Sequence, residues 1–220
     1  MSDKRVVIRV LGPVDVVASG RSLQPSLLER NLLAVLASRM GVTISTERLI
    51  DVLWPTGPPR SARNRIQALV SSLRRRLATD PDEVIVTAGS GYRLNACGQT
   101  VDAARFEQLI AAARRHREAG RTDEAALTYR EALELWRGPA FDGTDFVRDN
   151  ELQAEAARLD ESRLVAIEEN ADLELSLRRH GRLVPELTSL VRKHPFREGL
   201  RAQLMLSLAR SGRCSEAIAV

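Results

Sequence analysis

Between Arg60 and Leu77 the chain carries six arginines and no acidic residue, interleaved with Asn64, Gln67, Ser71 and Ser72. These residue types share a chemistry: Asn and Gln can pair in two points with the edge of adenine, and arginine can read guanine or clamp a phosphate. At 100° per residue Ile66, Leu69, Val70, Leu73 and Leu77 fall in one helical stripe that faces a core. The opposite face carries Asn64, Ala68, Ser71, Ser72 and Arg75, flanked by Arg60, Arg65 and Gln67. Small and amide side chains at its centre let such a helix sink into a DNA major groove. Taken alone, a basic run of this kind is more often a solvated helix face.

The neighbouring elements shift the balance. Val6 to Leu11 is β-branched and extended, Gly12-Pro13 interrupts it, and Val14 to Val17 resumes before Ser19-Gly20 turns, which predicts a small antiparallel sheet. From about Pro25 to Met40 the residues Leu28, Leu32, Leu33, Val35 and Leu36 recur at helical spacing, and Gly41 stops them. A short strand, Val42 to Ile44, precedes a second helix capped by Ser45 or Thr46 and ended by Pro55. The basic helix follows. Glu83 to Thr87 and Gly91 to Leu94 then read as two short strands joined by Ala88-Gly89-Ser90, a hairpin directly after the basic segment. A sheet, three helices and a closing hairpin, with the third helix basic, describe a winged helix-turn-helix. Charge is divided accordingly: residues 1–98 are net +6 and residues 99–220 net −2, so the first half is suited to a polyanion and the second to something else.

Gly12-Pro13, the run Glu47 to Trp54, the helix start Ala62-Arg63-Asn64, the run Val70 to Leu77 and Gly91-Tyr92 resemble the OmpR/PhoB-type DNA-binding domain. The resemblance is strongest to its version in the Streptomyces antibiotic regulatory protein family. Members of that family often place an arginine just before the wing turn to enter the minor groove, whereas this chain has Ala88, and Arg93 at the other end of the hairpin is expected to reach phosphate instead. The chain begins with the sheet itself, without a phosphoacceptor receiver domain ahead of it, so a typical response regulator is not expected.

From Val101 onward nothing reads as strand, and Ala/Leu/Glu/Arg-rich segments are separated by Gly-Arg dipeptides. Gly120, Gly181 and Gly212 lie 61 and 31 residues apart, close to two and one tetratricopeptide periods of about 34 residues. Ala125, Tyr129, Ala132 and Leu133 fit the small and aromatic positions of such a repeat, and each glycine is expected to end one helix and free the backbone for the next. Residues 147–179 should form one or two helices. Asp102 to Glu107, the string Leu135-Trp136-Arg137-Gly138-Pro139-Ala140, Glu186-Leu187 with His194-Pro195, and Leu200 to Met205 resemble the bacterial transcriptional activator domain of the same regulators. Trp136 reads as a core anchor near a helix end, with Gly138-Pro139 reversing the chain. The last residues, Ala217 to Val220, fall inside what should be the second helix of a pair. The expectation is either a piece of a longer protein or a domain that closes differently here.

Other chemistry finds little support. His116, His180 and His194 are scattered over charged helical segments without a nucleophile or carboxylate at motif spacing, and no phosphate-binding glycine loop is present. The acidic run of Glu168-Glu169 with Asp172 and Glu174 reads as a solvated helix face, since hard cations want converging oxygens from a loop. Cys97 and Cys214 are far apart and read as unpaired thiols in a reducing compartment. At 44% hydrophobic and 28% charged residues, without an apolar run of about 20 residues, the composition is that of a globular protein expected in the cytoplasm and away from membranes.

The expected fold is thus an α+β winged helix-turn-helix over residues 1–98, followed by an all-α, tetratricopeptide-like domain over residues 99–220. No enzyme activity, cofactor or metal is expected. Double-stranded DNA is the expected partner of Arg60, Arg63, Asn64, Arg65, Gln67, Ala68, Ser71, Ser72, Arg75 and Arg93. The resemblance further implies an activator acting as pairs of protomers on promoter direct repeats, contacts with RNA polymerase holoenzyme including its sigma factor, and target genes for antibiotic or other secondary-metabolite synthesis. The competing readings are a helical-repeat scaffold for proteins and a regulator that senses a small ligand in the repeats.

Overall fold

The computed structural model describes residues 6–18, 20–77, 84–95, 101–145 and 149–220; Ser19, Glu83, Cys97 and Val147 lie outside them. Two compact units form, one from Met1–Phe106 with Leu135–Asp160 and the other from Glu107–Glu134 with Glu161–Val220.

The first unit opens with an antiparallel sheet of β1 (Val6–Arg9), β2 (Asp15–Ala18) and β3 (Arg21–Leu23) in that order, with Ile8 opposite Val16 and Val16 opposite Leu23. β3 has no counterpart in the sequence reading, because Arg21 and Ser22 are exposed and only Leu23 is half-buried, so an edge strand of this kind carries no apolar alternation. Three helices follow: α1 (Leu27–Ser38), α2 (Thr46–Leu53) and α3 (Ala62–Leu77). The short β4 (Ile44–Ser45) pairs with a closing hairpin of β5 (Ile85–Ala88) and β6 (Gly91–Leu94), in the order β4-β6-β5. Ile8, Leu11, Leu32, Leu33, Leu36, Leu49, Ile66, Leu73, Leu77 and Ile85 are fully buried and make up its core.

Residues 135–160 return to this same unit. Trp136 is buried and meets Phe106 edge to face, with ring centroids 5.4 Å apart. The Arg137 and Phe141 N–H groups donate to the carbonyls of Leu11 and Val10, each at 2.8 Å, and Val14 N–H donates to the Asp142 carbonyl at 3.0 Å. Gly12 (φ 136°) lies so close that a Cβ there would sit 2.9 Å from that of Arg137. Asp102 completes the junction by accepting the Val10 and Leu11 N–H groups at 2.7 and 3.2 Å. The expectation that nothing from Val101 onward is strand-like needs one correction: Val101 bridges Ile8 and Asp142 bridges Pro13, both in parallel fashion. These pairings lie at the end of a sheet whose partner strand is far away in sequence, so no local pattern announces them.

The helical part comprises α4 (Asp102–Glu118), α5 (Thr122–Leu133), α6 (Asn150–Ser176), a 3-10 turn at His180–Arg182, α7 (Val184–Lys193), α8 (Glu198–Arg210) and α9 (Cys214–Ile218). Two of the three unit boundaries fall inside α4 and α6, and the third lies just after α5. Gly120 (φ 72°) and Gly212 (φ 77°) end their helices in the left-handed conformation, as expected for such turns. Gly181 does not. It lies within the 3-10 turn, and the left-handed residue there is Arg178 (φ 59°). In the second unit Ile167, Ala171, Leu175, Leu187, Leu200, Leu204 and Leu208 pack into one apolar cluster.

The acidic run on α6 is only in part a solvated face: Asp172 is exposed, whereas Glu168 and Glu169 are half-buried. Glu168 takes two hydrogen bonds of 2.9 Å from Arg197, Glu169 pairs with Arg114 and accepts from the Tyr129 hydroxyl at 3.0 Å, Asp172 accepts from Gln203, and Glu174 is buried. Glu168 and Glu169 meet arginines, and Asp172 a glutamine, from other parts of the chain, which a reading of α6 alone could not reveal. Burial and Glu169 together push the Tyr129 hydroxyl up to about 12. Among the described residues no helix is long and apolar enough to cross a membrane.

Candidate nucleic-acid interface

α3 begins where the Pro58-Pro59 turn releases the chain, with Ala62 N–H bonded to the Pro59 carbonyl at 2.9 Å. Its inner stripe is Ala62, Ile66, Val70, Leu73 and Leu77, all buried, with Leu69 half-buried at the edge. The other side is open. Arg60, Arg63, Asn64, Arg65, Gln67, Ala68, Ser71 and Arg75 are exposed. The first turn of α3 carries no acidic residue, so the partial positive charge of its N-terminus adds to that of Arg60, Arg63 and Arg65.

Two arginines that look identical to Arg75 in sequence do different work. Arg74 donates from Nε and Nη2 to the Ile85 carbonyl at 2.9 and 2.7 Å, and from Nη2 to Thr87 Oγ1 at 2.9 Å, which ties the hairpin to α3. Arg76 turns to the other side and donates to Glu29 Oε2 at 2.8 Å and to the Gln24 carbonyl at 3.0 Å. Of the three consecutive arginines only Arg75 is exposed. Ser72 is half-buried and donates to Glu29 Oε1 at 2.7 Å, so it is held from within the protein. Arg63 makes an exposed pair with Glu47 at 2.6 Å, a contact that costs little to exchange for a phosphate.

Glu29 is the residue that the sequence reading missed. It forms a reciprocal cap with Ser26 at the start of α1, while Ser72 and Arg76 reach it from α3. Burial raises its pKa, but the Ser26 N–H, the two serine hydroxyls and Arg76 outweigh that and hold the carboxyl below its ordinary value. The S-x-x-E spacing at Ser26 to Glu29 signals the cap; nothing local signals its reach to α3.

In the hairpin β6 pairs side by side with β4, Gly91 lying opposite Ser45. A Cβ on Gly91 would collide with the Ile44 carbonyl oxygen, so the close approach of the strands requires glycine there. Thr46 Oγ1 donates to the Ser90 carbonyl at 2.6 Å and fixes the turn against the start of α2. Ala88 beside the turn and Arg93, further along β6 opposite Val86, are both half-buried, and Arg93 Nε is buried without a hydrogen-bond partner.

A three-stranded sheet, three helices and a β-hairpin tied to a third helix with an exposed basic and amide face define a winged helix-turn-helix regulator of the DNA-binding class. Residues 20–94 match the family model described as "Transcriptional regulatory protein, C terminal", and residues 101–220 match "Bacterial transcriptional activator domain". The chain belongs to the Streptomyces antibiotic regulatory protein family of transcriptional regulators. It is 36% identical to the regulatory protein DnrI of Streptomyces peucetius over 96% of this chain and 80% of that protein. To the regulatory protein AfsR of Streptomyces coelicolor it is 40% identical over 96% of this chain but 21% of the relative. The solved structure of Mycobacterium tuberculosis EmbR in complex with a low-affinity phosphopeptide superposes with a TM-score of 0.87 at 32% identity, covering 99% of this chain and 58% of that one. The chain therefore spans most of one relative, just over half of another and about a fifth of the third.

Proposed function

We propose that this regulator is a sequence-specific activator which occupies promoter direct repeats as pairs of protomers and recruits RNA polymerase holoenzyme, sigma factor included, to genes of secondary-metabolite synthesis. It works in the cytoplasm, with residues 1–98 as its DNA-binding part and residues 99–220 as the part that meets polymerase and the neighbouring protomer. The observation that carries the DNA reading is the outer face of α3, where Asn64, Gln67, Ala68 and Ser71 lie exposed between Arg60, Arg63, Arg65 and Arg75. Amide and small side chains read base edges, and the arginines position the helix on phosphates or read guanine. In this reading Ser72, held to Glu29 from within, steadies the helix, and Arg93 offers a charge from the hairpin. The polymerase reading draws its support from family membership and from the absence of any comparable basic stripe in the sequence of residues 99–220, whose net charge is −2.

Footprinting and transcription with the full chain, purified RNA polymerase holoenzyme and a cognate promoter test both parts. The expected result is two protected patches, spaced by about one helical turn or a multiple of it, and a higher transcript yield. A footprint without a rise in transcript rejects polymerase recruitment. Absence of any footprint, with protein partners still bound, favours the scaffold reading.

A further inference from the structure

In the second unit a cavity of about 380 Å³ lies at the end of α6 near Arg178 and Arg210, but there Arg210 serves the carbonyls of that helix end, donating to Leu175 O at 2.8 Å. A second cavity, of about 300 Å³, has a different character. It is lined by Leu133, Asn170, Glu174, Leu183 and a rim of Arg130, Glu134, Arg182 and Glu186. Asn170 is only 8% exposed, and its Oδ1 is buried with no hydrogen-bond donor. A buried carbonyl oxygen left in that state has lost its hydration without a donor to replace it.

Beside it Glu174 is 6% exposed, and its cationic neighbour Arg130 stands at 3.7 Å with its side chain half in solvent. This is a long contact for so buried a carboxylate. Together with Glu174, the rim residues Glu134 and Glu186 outnumber Arg130 and Arg182, so the lining carries an excess of negative charge. Two helices end here. Glu134 is the C-cap of α5, and Asn170 and Glu174 occupy the last two turns of α6, which carries no basic residue in its final turn. Helix C-termini present partial negative charge and favour cations.

We infer that this cavity is a binding site for an organic cation, an ammonium or guanidinium on a short aliphatic stem, whose N–H groups donate to Asn170 Oδ1 and the Glu174 carboxylate while the stem lies against Leu133 and Leu183. The volume is ample for one such group. The cation can be a free small molecule or the side chain of a lysine or arginine in a protein partner; the chemistry at the site is the same.

The test is a titration of the full chain with n-butylguanidinium, n-butylammonium and neutral n-butanol, following the Asn170 side-chain amide by NMR. A blocked tripeptide with central arginine is the second arm. Saturable shifts with the cations but not with butanol are expected, weakened about tenfold in Glu174→Gln. Tighter binding of the tripeptide than of the free cation assigns the site to a protein side chain, and the reverse to a small molecule. If Glu174→Gln does not fold, the Glu134→Gln variant on the rim should still weaken binding severalfold. Absence of saturation with either cation, equal shifts with butanol, or unchanged affinity in the folded variants overturns the assignment.

Discussion

Arg76 donates to Glu29 at 2.8 Å and thereby fixes the last turn of α3 to the first turn of α1. Glu29 is 5% exposed and also holds Ser26 and Ser72, so one carboxylate governs how α3 is presented. Replacing Glu29 with alanine strands an arginine and leaves a cap unmade. Chemical denaturation should show a loss of about 3 kcal/mol, and affinity for cognate DNA should fall although Glu29 is not on the exposed face. A loss below about 0.5 kcal/mol would mean that α3 is positioned by other contacts.

The junction at Asp102 gives a pH dependence with a definite sign. Burial pushes its carboxyl up to about 6, although the Val10 and Leu11 N–H groups and Arg137 act the other way. The folded value exceeds the unfolded one of about 3.9, so its contribution is full below about pH 4 and is lost as pH rises through 6. Relative to Asp102→Asn, the wild-type protein should lose on the order of 3 kcal/mol between about pH 4 and pH 7. Parallel stability curves for the two proteins would contradict the shift.

Trp136 meets Phe106 of α4 edge to face, and the neighbouring Arg137 and Phe141 N–H groups bond the carbonyls of Leu11 and Val10, just after β1. Trp136→Ala should destabilise the protein by about 3–5 kcal/mol and weaken DNA binding only as far as it unfolds the protein. Calorimetry and a binding titration below the new midpoint separate the two effects. Weakened DNA binding in a fully folded variant would show that this junction transmits to α3.

Much of this architecture is legible because core-facing helices keep a 3.6-residue period: Ile66, Val70, Leu73 and Leu77 are buried where the stripe puts them. Arg74, Arg75 and Arg76 show the boundary of that method. Their types and spacing are the same, and only partners distant in sequence, the Ile85 carbonyl and Glu29, make two of them structural. The same holds for α6, where Glu168 and Glu169 are charge-paired by Arg197 and Arg114 from other parts of the chain. Local pattern reports which face of an element is apolar; it does not report which charged group crosses from another element to meet it.

Arg197 closes such a set, with Glu168 at 2.9 Å and Glu161 at 2.8 Å, and these hydrogen bonds raise its pKa above the ordinary arginine value. Arg197→Lys keeps the charge but not the fork, and should cost about 1–2 kcal/mol by denaturation. Full stability in the lysine variant would mean that charge alone suffices there.

The central claim is that the outer face of α3 reads DNA. It is tested most directly by measuring the affinity of the full chain, and of its Asn64→Ala and Arg75→Ala variants, for cognate and for random DNA over a range of salt. Asn64→Ala should lose about 1–3 kcal/mol on the cognate site and almost nothing on random DNA. Arg75→Ala should weaken both by similar factors and lower the log–log salt slope by about 0.9, the mark of one lost phosphate contact. If neither variant changes affinity, sequence preference or salt slope, DNA is held by another face of the protein and α3 is not the helix that reads it.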